Sequence, residues 1–213
     1  AADEVLTVTS YSGGAGVLEW ATAGGGIASV LADTTPQLGG NLDMQARLLV
    51  GNGGSTGIAI SANGEVTMAA QPCVFAYASS DDNNETGNGS SHTLIFDTEV
   101  TDQNADFDGT STFTAPVTGV YHVAVVVKLQ GVTTSASNAG MGMVASNRTT
   151  DFDFGGNIAS LSGAVTHGYS ACIDMDTADT LTITIFVSGE GSDVVDIDGA
   201  ANPQTFLCVT KVT

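Results

Sequence analysis

A strand pattern interrupted by an acidic turn occupies residues 96–121 and constrains the fold more than any other part of the chain. The segment reads FDTEVTDQNADFDGTSTFTAPVTGVY, in which the turn carries Asp102, Asp106 and Asp108 between two short strands. After the Ala-Pro break, Gly119–Gln130 alternates apolar and polar residues, which is typical of a β-strand with one buried face. A strand of this kind needs a second layer of structure to cover its apolar face.

Further strands of similar pattern follow along the chain, so the whole protein is predicted to be all-β. Cys73–Ser79 places Phe75 and Tyr77 on one face, and Leu181–Val187 alternates in the same way. The segment TFLCVTKVT, residues 205–213, predicts a further strand. About eight to ten strands, separated by turns roughly every ten residues, favour an antiparallel sandwich or jelly roll.

The layout of residues 96–121 resembles the signature of the complement C1q globular head, a jelly-roll module shared in outline with tumour necrosis factor. That signature has an aromatic residue, then Asp or Asn, two further aromatic residues and Gly-x-Tyr. The matching positions here are Phe96, Asp102, Phe107, Phe113, Gly119 and Tyr121. The resemblance implies a C1q/TNF-like jelly-roll β-sandwich, a trimeric assembly, and binding rather than catalysis. The resemblance also implies that the last strand of the chain lies in the middle of a sheet.

The chain is predicted to divide near residue 70, into a shaft or attachment segment (1–70) and a jelly-roll head (71–213). Residues 1–70 contain apolar pieces of four or five residues between glycine clusters, too short to form a core alone. Such pieces need partners from other chains, and a parallel homotrimer supplies them. The phrase PQLGGNLD, Pro36–Asp43, resembles the repeat-like segments of bacteriophage tail-fibre and related virion fibre proteins.

Composition excludes several classes of partner. Four Lys and Arg against 23 Asp and Glu give a net charge of −19, so we expect no nucleic acid to bind. No apolar run approaches the roughly 18 residues of a transmembrane helix, so we expect no membrane insertion. The three cysteines, Cys73, Cys172 and Cys208, are widely spaced and are interpreted as small buried apolar residues.

Oxygen-rich turns make Ca²⁺ the one cofactor that the sequence suggests. Closely spaced Asp and Asn residues supply the six to eight oxygen ligands that Ca²⁺ takes. The first candidates are Asp102, Asp106 and Asp108 in the turn 102–108, and Asp81 and Asp82 in the loop 81–85, which ends with Glu85. The same residue types also cap turns and solvate loops without any ion, and that alternative stays open here.

The sequence gives no support for an enzyme. His92, His122 and His167 fall in different strand-like runs, and no Gly-x-Ser-x-Gly elbow or Cys-His neighbourhood accompanies them. Acidic residues are so numerous that pairs of them carry no specificity for glycoside hydrolysis. We therefore expect a non-catalytic protein.

These observations together predict a virion structural fibre or spike protein, exposed on the particle surface after assembly in the host cytoplasm. The trimeric head would attach to a host-cell glycan or protein, and the N-terminal segment would contact other virion proteins. Polar loops at 81–91 and 131–139 suit hydrogen bonds to sugar hydroxyls. The alternatives are a capsid decoration or head-fibre protein without receptor binding and, less favoured, a polysaccharide depolymerase.

Overall fold

The computed structural model describes residues 4–12, 15–22, 49–50, 57–154 and 158–213. The chain forms two compact units, Ala1–Gln45 and Ala46–Thr213. The tail-fibre phrase Pro36–Asp43 lies outside the described residues. The assignment of residues 1–70 to a shaft and 71–213 to a head stays a prediction.

The described residues of the first unit form one antiparallel hairpin. Strand β1 (Glu4–Ser12) pairs with β2 (Ala15–Thr22), and the register shifts between Val8 and Ser10. The two strands have the sequences EVLTVTSYS and AGVLEWAT.

A small three-stranded sheet opens the second unit. It contains β3 (Leu49–Val50), β4 (Gly57–Ile60) and β5 (Val66–Met68) in that order. Ile58 pairs with Met68 and Ile60 pairs with Val66, so these four side chains share one face. All four are exposed, with Val66 at 60%.

Two larger sheets form the rest of the second unit. The seven-stranded sheet contains β6 (Cys73–Tyr77), β7 (Asp82–Thr86), β9 (Thr98–Asp102), β11 (Gly119–Val132), β14 (Gly163–Met175), β16 (Val195–Ile197) and β17 (Phe206–Lys211). The five-stranded sheet contains β8 (Ser91–Thr93), β10 (Phe113–Thr114), β12 (Asn138–Ala145), β13 (Thr149–Asp153) and β15 (Thr180–Ser188). A 3₁₀ turn at Ile158–Leu161 precedes β14.

The strand order is that of a jelly roll. One sheet runs β6-β17-β11-β14 and the other runs β10-β15-β12-β13, with β7, β8, β9 and β16 added at their margins. Numbered along the chain, these eight main strands give the orders 1-8-3-6 and 2-7-4-5, the arrangement of a jelly roll built from two Greek keys. The predicted all-β jelly-roll sandwich is therefore confirmed. The last strand, β17, lies between β6 and β11 in mid-sheet, as predicted.

The core is the apolar layer between the two sheets. Strand β11 contributes alternate residues from Tyr121 to Leu129, each 1% exposed or less, and β15 faces it with Leu181, Ile183, Ile185 and Val187. The Tyr121 hydroxyl donates a hydrogen bond of 2.5 Å to the carbonyl of Val117, which satisfies its polar end inside the core. The ring of Phe113 packs edge-on against Tyr121, with 5.4 Å between centroids.

Two local expectations differ from the structure. The polar run at 81–91 was expected to be a loop, yet Asp82–Thr86 forms β7, because it pairs with β16 and buries the Thr86 side chain. The sequence His92–Phe96 predicts a strand that ends at Phe96, but strand β8 ends at Thr93, although Leu94 and Phe96 are still fully buried. Within the described residues, no helix is long and apolar enough to cross a membrane.

The cysteines were expected to be buried in the core, and that expectation is wrong. Cys73 and Cys208 are half-buried, Cys172 is exposed, and all three are free thiols. Each lies on the face of the seven-stranded sheet that points away from the core, because its strand neighbours fill the inward positions.

Candidate functional site

Three polar loops meet at one end of the sandwich and form what we call the polar loop cluster, residues 87–90, 131–137 and 188–194. The Thr133 amide and hydroxyl donate to the two carboxylate oxygens of Glu190, at 2.7 and 2.6 Å. The Asn88 side-chain amide donates to Asp193 at 2.7 Å. Hydroxyl, amide and carboxylate groups of the cluster thus hydrogen-bond to one another and connect the three loops.

Glycines allow these loops to approach each other closely. Gly189 has a φ of +99°, and a Cβ atom there would lie 2.5 Å from the carbonyl oxygen of Ser135. Gly87 has a φ of +142°, and its Cβ would lie 2.3 Å from the carbonyl oxygen of Ser192. A side chain at either position would push the loops apart, so the close approach of the loops requires glycine at both positions.

The structure places the two predicted calcium turns far apart. Asp102 is in register with Val74, near the start of β6, whereas Asp82 is in register with Ile197, which itself pairs with Leu129. Val74 pairs with Val209 of β17, and Val209 pairs in turn with Val123 of β11. Val123 lies six residues before Leu129, a distance of about 20 Å along the strand. No single ion can therefore use both turns.

In the first turn, the carboxylates of Asp102 and Asp108 bind backbone amides. Asp102 accepts hydrogen bonds from the amides of Asp106 and Phe107, at 3.0 and 3.1 Å. One oxygen of Asp108 accepts hydrogen bonds from the backbone amides of Thr110, Ser111 and Thr112, and a fourth from the Thr110 hydroxyl. The four distances are 2.8–3.0 Å. This geometry is that of turn capping, and calcium at these residues stays a prediction.

Asp106 differs from its neighbours because its side chain is buried, at 8% exposure. One carboxylate oxygen accepts a 3.0 Å hydrogen bond from Asn104, and the other has no hydrogen-bond partner in the described part of the chain. Burial raises the pKa of Asp106, with the charge of Asp102 adding to the effect and the Asn104 hydrogen bond opposing it.

The second predicted pair, Asp81 and Asp82, lines a cavity of about 200 Å³ together with Asp97. The Asp81 carboxylate accepts from the amide of Gly199 at 3.0 Å. Asp97 accepts from the amide and the hydroxyl of Ser79, each at 2.7 Å. Burial acts to raise the pKa of Asp97, but the two Ser79 hydrogen bonds outweigh it and lower that pKa.

Asp82 lies close to Glu85, in the same predicted loop, and to His92, which from the sequence alone is considered only for catalysis. Its carboxylate lies 3.1 Å from Nε2 of His92, whose Nδ1 lies 2.9 Å from the carboxylate of Glu85. Glu85 belongs to the predicted 81–85 loop, but His92 lies ten residues after Asp82. Only the pairing of β7 and β8 with other strands brings it near.

The other two histidines lie elsewhere. His122 is on the outward face of β11, opposite Cys172. His167 stacks on Phe154 with 4.0 Å between ring centroids, in a row of stacked rings with Phe152 and Tyr169. Burial lowers the pKa of His167, which favours the neutral ring in this aromatic packing.

The outward face of the seven-stranded sheet carries a regular array without charged residues, which we call the outer patch. Its three rows cross β14, β11, β17 and β6: Cys172, His122, Thr210 and Cys73; Ser170, Ala124, Cys208 and Phe75; Gly168, Val126, Phe206 and Tyr77. The Phe75 and Phe206 rings pack edge-on at 5.8 Å. In a chain of net charge −19, this array holds no Asp, Glu, Lys or Arg.

No known protein family and no curated protein sequence matches this chain. Among solved structures, the globular domain of a zebrafish complement 1qA protein is similar over 67% of this chain and 98% of its own. Its sequence identity is 14% and its TM-score 0.47. Murine APRIL, in a crystal structure at pH 8.5, is similar over 67% of this chain and 99% of its own, at 11% identity and a TM-score of 0.47. The jelly-roll assignment rests on the strand order described above.

The capping role of Asp108 predicts a pH-dependent loss of stability in Asp108→Asn. Burial acts to raise the pKa of Asp108, but the hydrogen bonds from Thr112, Ser111 and Thr110 outweigh it and hold that pKa well below its ordinary value. At pH 7 the substitution should lower the free energy of unfolding by about 1 kcal/mol, a figure kept small because the turn is exposed.

The stabilisation from the charge is present above the unfolded pKa of about 3.9 and is lost as the pH falls toward the lower folded value. Urea unfolding at fixed protein concentration should therefore show a constant gap between wild type and variant from about pH 5 to 7, which narrows below about pH 4. Asp151→Asn, on strand β13, is the matched control. A gap that stays constant into acid would contradict the assignment.

Proposed function

We propose that the chain is a non-catalytic binding head that assembles as a parallel homotrimer and attaches to a glycan or protein on a host-cell surface. The observation that carries this proposal is the outer patch on a jelly-roll sheet. A further proposal, resting on the Pro36–Asp43 resemblance alone, places the protein on the surface of a virion as a fibre or spike.

The outer patch has the composition of an association surface. It combines four large half-buried side chains, Phe75, Tyr77, Val126 and Phe206, with small residues, and covering it removes no formal charge from water. With strands 4.8 Å apart and facing residues 6.6 Å apart, its twelve positions span roughly 400 Å². A stable interface covers about 800 Å² on each partner, so the patch can supply roughly half of one.

Two other apolar surfaces can supply the rest. The exposed face of the small sheet holds Ile58, Ile60, Val66 and Met68. At the edge of the sandwich, the stacked rings of Phe152 and Tyr169 are half-buried between β13 and β14. A contact between two different surfaces is heterologous, and it forms a closed ring when the rotation between neighbouring subunits divides a full turn, as it does in a threefold arrangement.

The polar loop cluster lies at the end of the sandwich away from the start of β6. Cys73, the first residue of β6, lies in the same row of the sheet as His122 of β11. Gly131 of the loop cluster is nine residues after His122, which is about 30 Å farther along β11. If the N-terminal segment contacts other virion proteins, this geometry favours contact between the loop cluster and a receptor. Three copies of the cluster would add avidity to weak individual contacts.

The assembly is tested by introducing a charge into the outer patch. We expect the wild-type chain to sediment at three times the mass of one chain, and Phe75→Asp to shift it to monomer, because three carboxylates would be desolvated in the interface. Ile60→Asp tests the small sheet in the same way. Val117→Asp, an exposed position outside both surfaces, is the control and should stay trimeric. A wild-type chain that is monomeric at micromolar concentration would refute the assembly.

The attachment role is tested by immunogold electron microscopy of the parent particle with antibody raised against residues 71–213. We expect label at the tip of a fibre, and wild-type protein that adheres to host cells more strongly than Phe75→Asp. Label spread over the capsid would favour a decoration role, and no label on any particle would refute the virion placement.

A further inference from the structure

We propose that Asp82, Glu85 and His92 form a binding site for a divalent transition-metal ion of the zinc class. The three side chains offer two carboxylate oxygens and one imidazole nitrogen, and the offered atoms all lie within 4.8 Å of one another. The site is separate from the predicted calcium turn at Asp102, and it adds His92 to two residues of the predicted 81–85 loop.

The distances are close to those of a metal-bound set. Ligands 2.0–2.2 Å from a tetrahedral ion lie about 3.4 Å from each other. Here the two ring nitrogens of His92 already lie 2.9 and 3.1 Å from the carboxylates of Glu85 and Asp82. An ion can bind only one of these nitrogens, and the offered atoms of the three residues lie within 4.8 Å of one another, so they must approach each other by up to roughly 1.4 Å to reach tetrahedral spacing.

Each ring nitrogen of His92 faces a carboxylate, so a neutral ring leaves one nitrogen without a proton to donate, a role that a second proton or a metal ion can fill. The Nε2 atom of His92 is shielded from solvent and makes no hydrogen bond of acceptable geometry, although Asp82 is 3.1 Å away. A metal ion bound to one nitrogen would leave the other to donate to a carboxylate, an arrangement common in metal sites.

The two carboxylates also repel each other in their present positions. Burial raises the pKa of Glu85, and the negative charge of Asp82 raises it further, while His92 opposes the shift. A cation among the three groups would remove this repulsion and would share the charge of both carboxylates.

The backbone fixes the three side chains in place. Asp82 is held in β7 opposite Ile197, and His92 is held in β8 opposite Ile185. The amide of Asn84, between Asp82 and Glu85, donates to Asp196 at 2.8 Å and fixes the strand there. A site on paired strands loses less conformational entropy when an ion binds than a site on a free loop does.

The donor set selects the class of ion. Ca²⁺ and Mg²⁺ take oxygen ligands, whereas an imidazole nitrogen with two carboxylates suits Zn²⁺ and neighbouring first-row ions. The side chains are 18–38% exposed, so an ion can enter and a water molecule or an outside oxygen ligand can complete the coordination.

The test is calorimetric titration of Zn²⁺ into EDTA-treated protein at pH 7.5 with a non-thiol reductant. We expect one Zn²⁺ per chain, at least tenfold weaker binding in His92→Gln and in Glu85→Gln, and unchanged binding in the control His122→Gln. Glu85→Gln is included because it changes a partly exposed carboxylate by one atom and should leave the fold intact. Ca²⁺ under the same conditions should give no saturable signal.

Co²⁺ substitution identifies the ligands independently. We expect weak visible bands of oxygen and nitrogen ligation and no intense near-ultraviolet thiolate band. A thiolate band would assign the ion to the cysteines and overturn the proposal. Absence of saturable Zn²⁺ binding below 1 mM (roughly the affinity of the weakest specific sites), or equal affinity in His92→Gln, would also overturn it.

Discussion

Strand β11 imposes the constraint on which the rest of the structure depends. It pairs along one edge with β14 and along the other with β17 and β16, so both of its backbone edges are satisfied. Its inward residues fill the core, and its outward residues His122, Ala124 and Val126 form the middle of the outer patch. Because side chains alternate along this strand from Tyr121 to Leu129, the same segment determines both the packing of one subunit and the surface offered to another.

The sequence was sufficient to predict this layer because the signal is local. Alternation from Tyr121 to Leu129 and from Leu181 to Val187 identifies strands and their buried faces without knowledge of their partners. The predicted final strand also lies between β6 and β11. By contrast, the polar sequence Asp82–Thr86 predicts a loop. It becomes a strand only because β16, more than a hundred residues later, pairs with it.

The candidate sites were less predictable for the same reason. Acidic turns are visible in the sequence, but whether a carboxylate caps a turn or faces another ligand depends on strands far away. Asp108 accepts from its own turn, whereas Asp82 points to His92. The outer patch also could not be predicted from the sequence. Its cysteines look like core residues in the sequence, and only the pairing across four strands shows that they share an uncharged outward face.

Thiol labelling tests most directly the central claim that the outer patch is covered in the assembled protein. All three cysteines lie on that patch, and Cys172 is exposed in the single chain. Brief treatment with a charged alkylating reagent, followed by peptide mass spectrometry, reports the reactivity of each thiol. The account predicts slow labelling of Cys172 and Cys208 in the wild-type protein and fast labelling in Phe75→Asp. Equally fast labelling of Cys172 in both proteins would contradict it.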